Sequence, residues 1–203
     1  MNQHIAESKE HFNNWSKKYD SSLLQKFFFH PIQQTVIQNI ARHTDEEFSL
    51  LDVGCGTGKM LNQISRKWPN AQLTGADISE KMITQSQQKN PSLEFKTANA
   101  QDLPFEDNTF NYTTNTVSFH HYPEPQTAVN EFYRVTKPCG VVLIADLIYP
   151  IMLGKGSVKA YSPKAMRQFF QQAGFKEIRQ QRPGYFLFPG IITRLTIGTK
   201  FCE

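Results

Sequence analysis

Asp52 and three glycines at alternate positions, Gly54, Gly56 and Gly58, lie in the stretch LLDVGCGTGKM, and Asp77 ends the next apolar run. Glycine lets a main chain approach a ligand closely, and a glycine turn after a strand is where doubly wound sheets bind nucleotides. Two phosphate-binding fingerprints fail on these residues. A P-loop needs glycine at 53 and serine or threonine at 60, whereas the chain has Val53 and Met60. The dinucleotide pattern begun at Gly54 needs glycine at 59 and meets Lys59. A carboxylate at Asp52 sits badly beside a pyrophosphate and well beside a cation. Asp77, about 20 residues past the turn, stands where a carboxylate accepts both ribose hydroxyls of a nucleoside.

A nucleoside with no pyrophosphate and a positive charge near the turn describes S-adenosylmethionine. His120 and His121 follow a later apolar run, and an imidazole there could deprotonate a hydroxyl or an acidic carbon. Adjacent strand residues point opposite ways, so at most one of the two faces a substrate. The plainer reading makes both of them loop residues that shape the site. Cys139 follows Pro138 just before the fifth expected strand, where a structural role fits better than a nucleophilic one. Cys55 is most simply a small residue filling the glycine turn. Glu131, Arg134 and Lys137 read as the solvated or ion-paired face of a helix.

The elements that must position these groups show as a change of period. Ile32, Val36, Ile37 and Ile40 fall on one helical face after Pro31, which suits a first turn. Two or three helices are expected before Asp45. From Phe48 onward, the runs SLLDVGC, AQLTGAD, LEFKTA, FNYTTNTV and GVVLIADLI alternate with helical segments around 58–67, 79–89 and 125–137. Strands separated by helices predict a parallel sheet with helices on both faces. Ser79 and Ser162 read as N-caps and Gly174 as the glycine closing the later helix. After it, KEIRQQRP and IITRLTIGTK read as a strand pair joined by PGYFLFPG, so one strand runs antiparallel. The fold class is α/β: a three-layer Rossmann-like sandwich with a seven-stranded, mostly parallel sheet and extra N-terminal helices.

The chain has 203 residues, enough for one domain with a substantial core. A net charge of +4, spread along the chain, shows neither a basic tail nor an arginine-rich block, so no nucleic-acid partner is expected. The three cysteines, Cys55, Cys139 and Cys202, are odd in number and far apart. That pattern is neither a disulfide framework nor a zinc spacing and predicts a reduced, cytoplasmic setting with no metal. No apolar stretch approaches the roughly 20 residues of a bilayer span.

The segments HFNNWSKKYD, LLDVGCGTG, GADIS, NAQDLPFEDNTFN, VSFHHY, AVNEFYRVTKPCG and YSPKAMRQFFQQAGF, in this order, resemble the class I S-adenosylmethionine-dependent methyltransferases. They are most similar to the branch containing the ubiquinone- and menaquinone-biosynthesis enzymes. The resemblance implies a single domain over 1–203: an N-terminal lid segment (1–45), a cofactor-binding core (46–148) and a C-terminal helix and strand pair (149–203). It implies that Gly54, Gly56 and Gly58 wrap the methionyl part of the cofactor and that Asp52 helps hold its amino group. Asp77 would take the ribose hydroxyls, Ile78 would pack on adenine, and Asn99 and Ala100 would meet the adenine edge. Asn115 would lie near the methionyl end. Asn99 stands where the family often has Asp, and its carbonyl oxygen can still accept the same bond. Cys139 stands where the family usually has glycine. Phe12, Trp15 and Tyr19 match the lid segment, with Tyr19 the expected contact; the other reading is a plain packing helix. The expected reaction is methyl transfer to a small-molecule acceptor; the FFF and YFLF runs read first as core, and otherwise as a surface for a lipophilic or aromatic acceptor or a partner subunit. The rival readings are a non-catalytic cofactor-binding module, a nicotinamide-dependent oxidoreductase, and an RNA acceptor.

Overall fold

Apolar runs of strand length, each ended by a turn or a capped helix, build the sheet in the computed structural model, which describes residues 25–42, 47–148, 152–153, 156–157, 159–183 and 192–202. Phe12, Trp15 and Tyr19, like the 185–188 run, lie outside the described residues. A π-helical turn (Gln25–Phe29) leads into α1 (His30–Ile40), with Pro31 in its first turn. The expected face of Ile32, Val36, Ile37 and Ile40 is buried, and so are Phe28 and Phe29, whereas Phe27 is exposed.

The strands are β1 (Ser49–Val53), β2 (Gln72–Asp77), β3 (Glu94–Thr97), β4 (Phe110–Thr116) and β5 (Thr136–Leu147), with β6 (Glu177–Gln181) and β7 (Thr193–Thr199) near the carboxyl end. Helices α2 (Lys59–Lys67), α3 (Glu80–Lys89) and α4 (Pro125–Val135) connect parallel strands, and α5 (Pro163–Ala173) precedes the final pair. Ser79 accepts from the Met82 amide and Ser162 from the Ala165 amide, so both expected N-caps form. Gly174 closes α5 in the left-handed conformation, where glycine meets no Cβ penalty.

The sheet order is β3-β2-β1-β4-β5-β7-β6. Strands β1 to β5 pair in parallel, and β7 runs antiparallel to both of its neighbours. The order reverses between β1 and β4, so the turns after these two strands open side by side at the carboxyl ends, the crevice in which such sheets bind ligands. Two apolar layers enclose the sheet. Leu50, Leu73, Tyr112, Leu143 and Leu195 pack with α1, α2 and α3 on one face. Leu51, Val53, Val142 and Ile144 pack with α4 and α5 on the other.

Two features depart from the sequence reading. Strand β5 begins at Thr136, directly after α4, so the KPCG segment lies inside the strand and Cys139 takes a φ of 62° there. Cys139 and Cys202 are joined by a disulfide, which corrects the expectation of unpaired thiols. The antiparallel pairing of β5 with β7 explains it, because residues 63 apart in sequence come to lie with Cα atoms 4.6 Å from each other. The pairing also places Cys139 outside any nucleophilic role. Lys200 strengthens the same corner by donating to the Tyr133 and Thr136 carbonyls at the end of α4. Reducing the bond is expected to lower the unfolding free energy by about 2–4 kcal/mol. Urea titrations with and without reductant check this, and superimposable curves would mean that the cross-link does not stabilise the fold. Among the described residues, no helix is long and apolar enough to cross a membrane, and no group of three or more His, Cys, Asp or Glu side chains could hold a metal ion.

Candidate functional site

The turn after β1 is built from glycines that need positive φ: 74° at Gly54, 54° at Gly56 and 76° at Gly58. The Gly54 and Cys55 amides both donate to the Ala76 carbonyl of β2, which ties the turn to the neighbouring strand end. A Cβ at Gly54 would lie 2.1 Å from Ser118 Oγ, and one at Gly58 would lie 2.9 Å from the Phe95 ring. Side chains are therefore excluded at both positions by space as well as by conformation. Cys55 fills the underside of the turn as a buried thiol. Burial pushes its pKa well up, with the charges of Asp77 and Asp52 adding to the effect, so it stays an unreactive packing group.

Two carboxylates face this turn from below and beside it. Asp52 is buried near the end of β1 and accepts from the Thr114 hydroxyl at 3.0 Å. Burial pushes its carboxyl up to about 7, the Thr114 bond pulls it back, and the nearby Asp77 charge raises it again. Asp77 ends β2; one oxygen accepts from the Gly56 amide and the other from the Ser79 amide, both at 2.9 Å. Its carboxyl is also raised by burial, against the lowering effect of these main-chain donors. Each oxygen has more than one lone pair, so acceptor capacity remains for the two hydroxyls of a diol. Ile78 follows, half-buried. An acidic cradle with glycine amides fits a hydroxyl-bearing, positively charged ligand and opposes a pyrophosphate. That donor set suits S-adenosylmethionine.

Past β3, Asn99 accepts from the Gln101 amide at 3.0 Å, so its carbonyl oxygen already serves its own turn and offers only its second lone pair outward. Ala100 is buried beneath it. On the other side of the crevice, Asn115 is buried at the end of β4 and donates from Nδ2 to the Val53 carbonyl at 2.8 Å. Val117 then takes a φ of 52°. A β-branched residue in that region is strained, by about 1–3 kcal/mol, and its kink starts the turn that carries the histidines.

His120 and His121 lie in a short 3-10 turn (Phe119–His121) rather than on the strand. Their rings pack together with centroids 4.0 Å apart, so strand alternation does not separate them. His120 is the buried member of the pair. Its Nδ1 lies 2.7 Å from Asp146 Oδ1, and its amide donates to Asp146 Oδ2 at 2.8 Å. The Leu147 amide donates to the same carboxylate at 2.6 Å and holds it in place. A carboxylate on Nδ1 favours the tautomer whose Nε2 lone pair is free to accept a proton. Asp146 went unremarked in the sequence because only the β4–β5 pairing brings it to His120. The crevice thus gathers Asp52, Gly54, Gly56, Asp77, Asn115, His120 and Asp146. A separate cavity of about 430 Å³, lined by Phe48, Tyr112 and Cys139, opens at the opposite end of the strands and contains none of them.

Residues 51–144 match the methyltransferase domain family. A curated relative, the demethylmenaquinone methyltransferase of Staphylococcus aureus, is 33% identical over 147 residues, covering 70% of this chain and 60% of the relative. The chain therefore spans less than two thirds of that relative's length. Among solved structures, an S-adenosylmethionine-dependent methyltransferase from Aquifex aeolicus superposes with a TM-score of 0.75 at 22% identity, covering 92% of this chain and 97% of that one. The cyclase SpnF superposes with a TM-score of 0.72 at 18% identity, over 85% of this chain and 81% of that one. At these identities the structures establish the fold alone, and the cyclase shows that the fold carries more than one chemistry.

Proposed function

We infer, from the class I S-adenosylmethionine-dependent methyltransferase domain that this chain carries, that it moves a methyl group from S-adenosylmethionine to a small-molecule acceptor by direct displacement. The observation that carries the reading is the Asp77 carboxylate, locked by the Gly56 and Ser79 amides beside a turn of positive-φ glycines. When bound, the cofactor supplies a methyl group on a cationic sulfur, already strongly electrophilic. The protein's part is placement and the exclusion of water. Gly54, Gly56 and Gly58 bring main chain against the amino-acid end, with Asp52 holding positive charge there. Asp77 takes the ribose hydroxyls, Ile78 packs on the base, and Asn99 with Ala100 borders its edge. Tyr19, outside the described residues, completes the set as a lid contact.

The acceptor is a small lipophilic or aromatic molecule, a class supported by the name of the Staphylococcus aureus relative. His120 is the base of the histidine pair: with Nδ1 on Asp146, its Nε2 takes the proton from an acceptor hydroxyl or acidic carbon as the methyl group arrives. His121 packs against it and sets the position of its ring. The test is calorimetric titration with S-adenosylmethionine, S-adenosylhomocysteine and NADH. Micromolar binding of the first two supports the reading, and binding of NADH alone sinks it.

Asp52 makes that binding depend on pH. Its carboxyl ionises at about 7 in the free protein instead of the ordinary 3.8. The sign follows from the raised value: its contribution to stability is present below the unfolded pKa and is lost as pH rises through about 7. A cation bound beside it favours the ionised form. Affinity for S-adenosylhomocysteine is therefore expected to rise between about pH 5.5 and about pH 7.5, with protons released on binding. Titrations in buffers of different ionisation enthalpy measure the release, and Asp52→Asn should flatten the dependence. A wild-type profile as flat as the variant's would remove Asp52 from the site.

A further inference from the structure

We infer that Ser118 and Tyr122 present a hydroxyl donor to the carboxylate of the cofactor's amino-acid end, an assignment that rests on the cofactor reading above. Three polar side chains converge on the turn that follows β4. Asn115 Nδ2 lies 2.8 Å from the Val53 carbonyl, 2.7 Å from Ser118 Oγ and 2.8 Å from the Tyr122 hydroxyl. The two hydroxyl oxygens are 3.2 Å apart. The Val53 carbonyl can only accept, so it requires the amide's nitrogen side and sets the orientation of Asn115.

Counting protons then leaves one over. The amide has two N–H bonds: one goes to Val53 and the other to the hydroxyl pair. One hydroxyl proton bridges the two hydroxyl oxygens. The second hydroxyl proton finds no acceptor among the described residues. Asn115 Oδ1 is also unpartnered, but it is sealed from solvent and out of reach of a ligand. Ser118 and Tyr122 are half-buried residues whose hydroxyls border the first glycine of the turn.

The place of the spare O–H identifies its use. A Cβ on Gly54 would stand 2.1 Å from Ser118 Oγ and 3.2 Å from the Tyr122 hydroxyl, so both oxygens rest on the first glycine of the turn. The ligand's amino-acid end carries an ammonium and a carboxylate. Asp52 suits the ammonium and repels the carboxylate, which needs a donor that an acid cannot provide. Burial holds the Tyr122 phenol well above its ordinary value, eased by the Ser118 bond and reinforced by the charges of Asp77 and Asp146, so it remains protonated and able to donate. A hydroxyl–carboxylate bond is charge-assisted and stronger than a neutral one.

The experiment compares two ligands by calorimetry. S-adenosylhomocysteine carries the amino-acid end, and 5′-methylthioadenosine has the same nucleoside without it. Removing one hydroxyl leaves the other able to accept from Asn115 and to donate outward, so the double variant Ser118→Ala/Tyr122→Phe is the decisive one. It is expected to bind S-adenosylhomocysteine about tenfold or more weakly and 5′-methylthioadenosine within about twofold of wild type. Tyr122→Phe alone, which keeps the ring against Phe119 and Phe132, should fall between. Unchanged S-adenosylhomocysteine binding in the double variant, or equal loss of both ligands, overturns the assignment. Failure of wild type to bind either ligand would instead remove the cofactor reading beneath it.

Discussion

Replacing Asp77 with alanine is expected to weaken S-adenosylhomocysteine binding by about a hundredfold or more, because two charge-assisted hydrogen bonds at about 1.5–3 kcal/mol each are lost. Both carboxylate oxygens are already oriented by main-chain donors, Gly56 on one and Ser79 on the other. A ligand therefore meets an acceptor that does not have to be ordered on binding. The same substitution frees the Gly56 amide, which loosens the turn as well as deleting the acceptor. Asp77→Asn separates the two effects: its single carbonyl oxygen can hold one main-chain donor but not both, so an intermediate loss is expected. Calorimetry on the three proteins gives the order. An alanine variant that binds as wild type does would place the ribose contact elsewhere.

Loss of the His120 imidazole should act on turnover rather than on cofactor affinity. His120→Gln is expected to reduce kcat by about 10²–10⁴-fold, the usual contribution of a positioned general base. Its Kd for S-adenosylhomocysteine should stay near wild type, because His120 is held by Asp146 from β5 and not by the glycine turn. Asp146→Asn should reduce kcat less: an amide can still hold the His120 main chain, but it no longer stabilises a protonated ring. Methyl transfer to a lipophilic aromatic acceptor, followed as S-adenosylhomocysteine formed, reads both variants. If His120→Gln turns over at the wild-type rate, placement alone drives the displacement and the histidine is part of the wall.

Local chemistry makes much of this legible in the sequence. The failed phosphate fingerprints, the carboxylate at Asp52 and the acid at Asp77 all sit within a turn of their strands, and the three glycines take the left-handed conformations that their spacing requires. Ser79 and Ser162 cap helices as their type dictates. What sequence could not show is what strand pairing creates. His120 and Asp146 are 26 residues apart and meet only because β4 and β5 end together. Cys139 and Cys202 meet only through β7 returning antiparallel. Of Asn115, Ser118 and Tyr122 the sequence singled out Asn115 alone, because the cluster forms only where the turn begun at Val117 folds the later two side chains back onto it.

The Cys139–Cys202 bond also changes the connectivity of the molecule. It closes β5, α5, β6 and β7 into a covalent ring attached to a linear remainder. The glycine turn, Asp77 and the histidines all lie on the linear part, and Asp146 alone of the site residues lies on the ring. A single peptide cleavage between β5 and β7 would linearise the ring and release no fragment. The downstream piece would stay bonded through Cys202 to Cys139, so β7, whose Arg194 pairs with Asp146, would remain part of the same molecule.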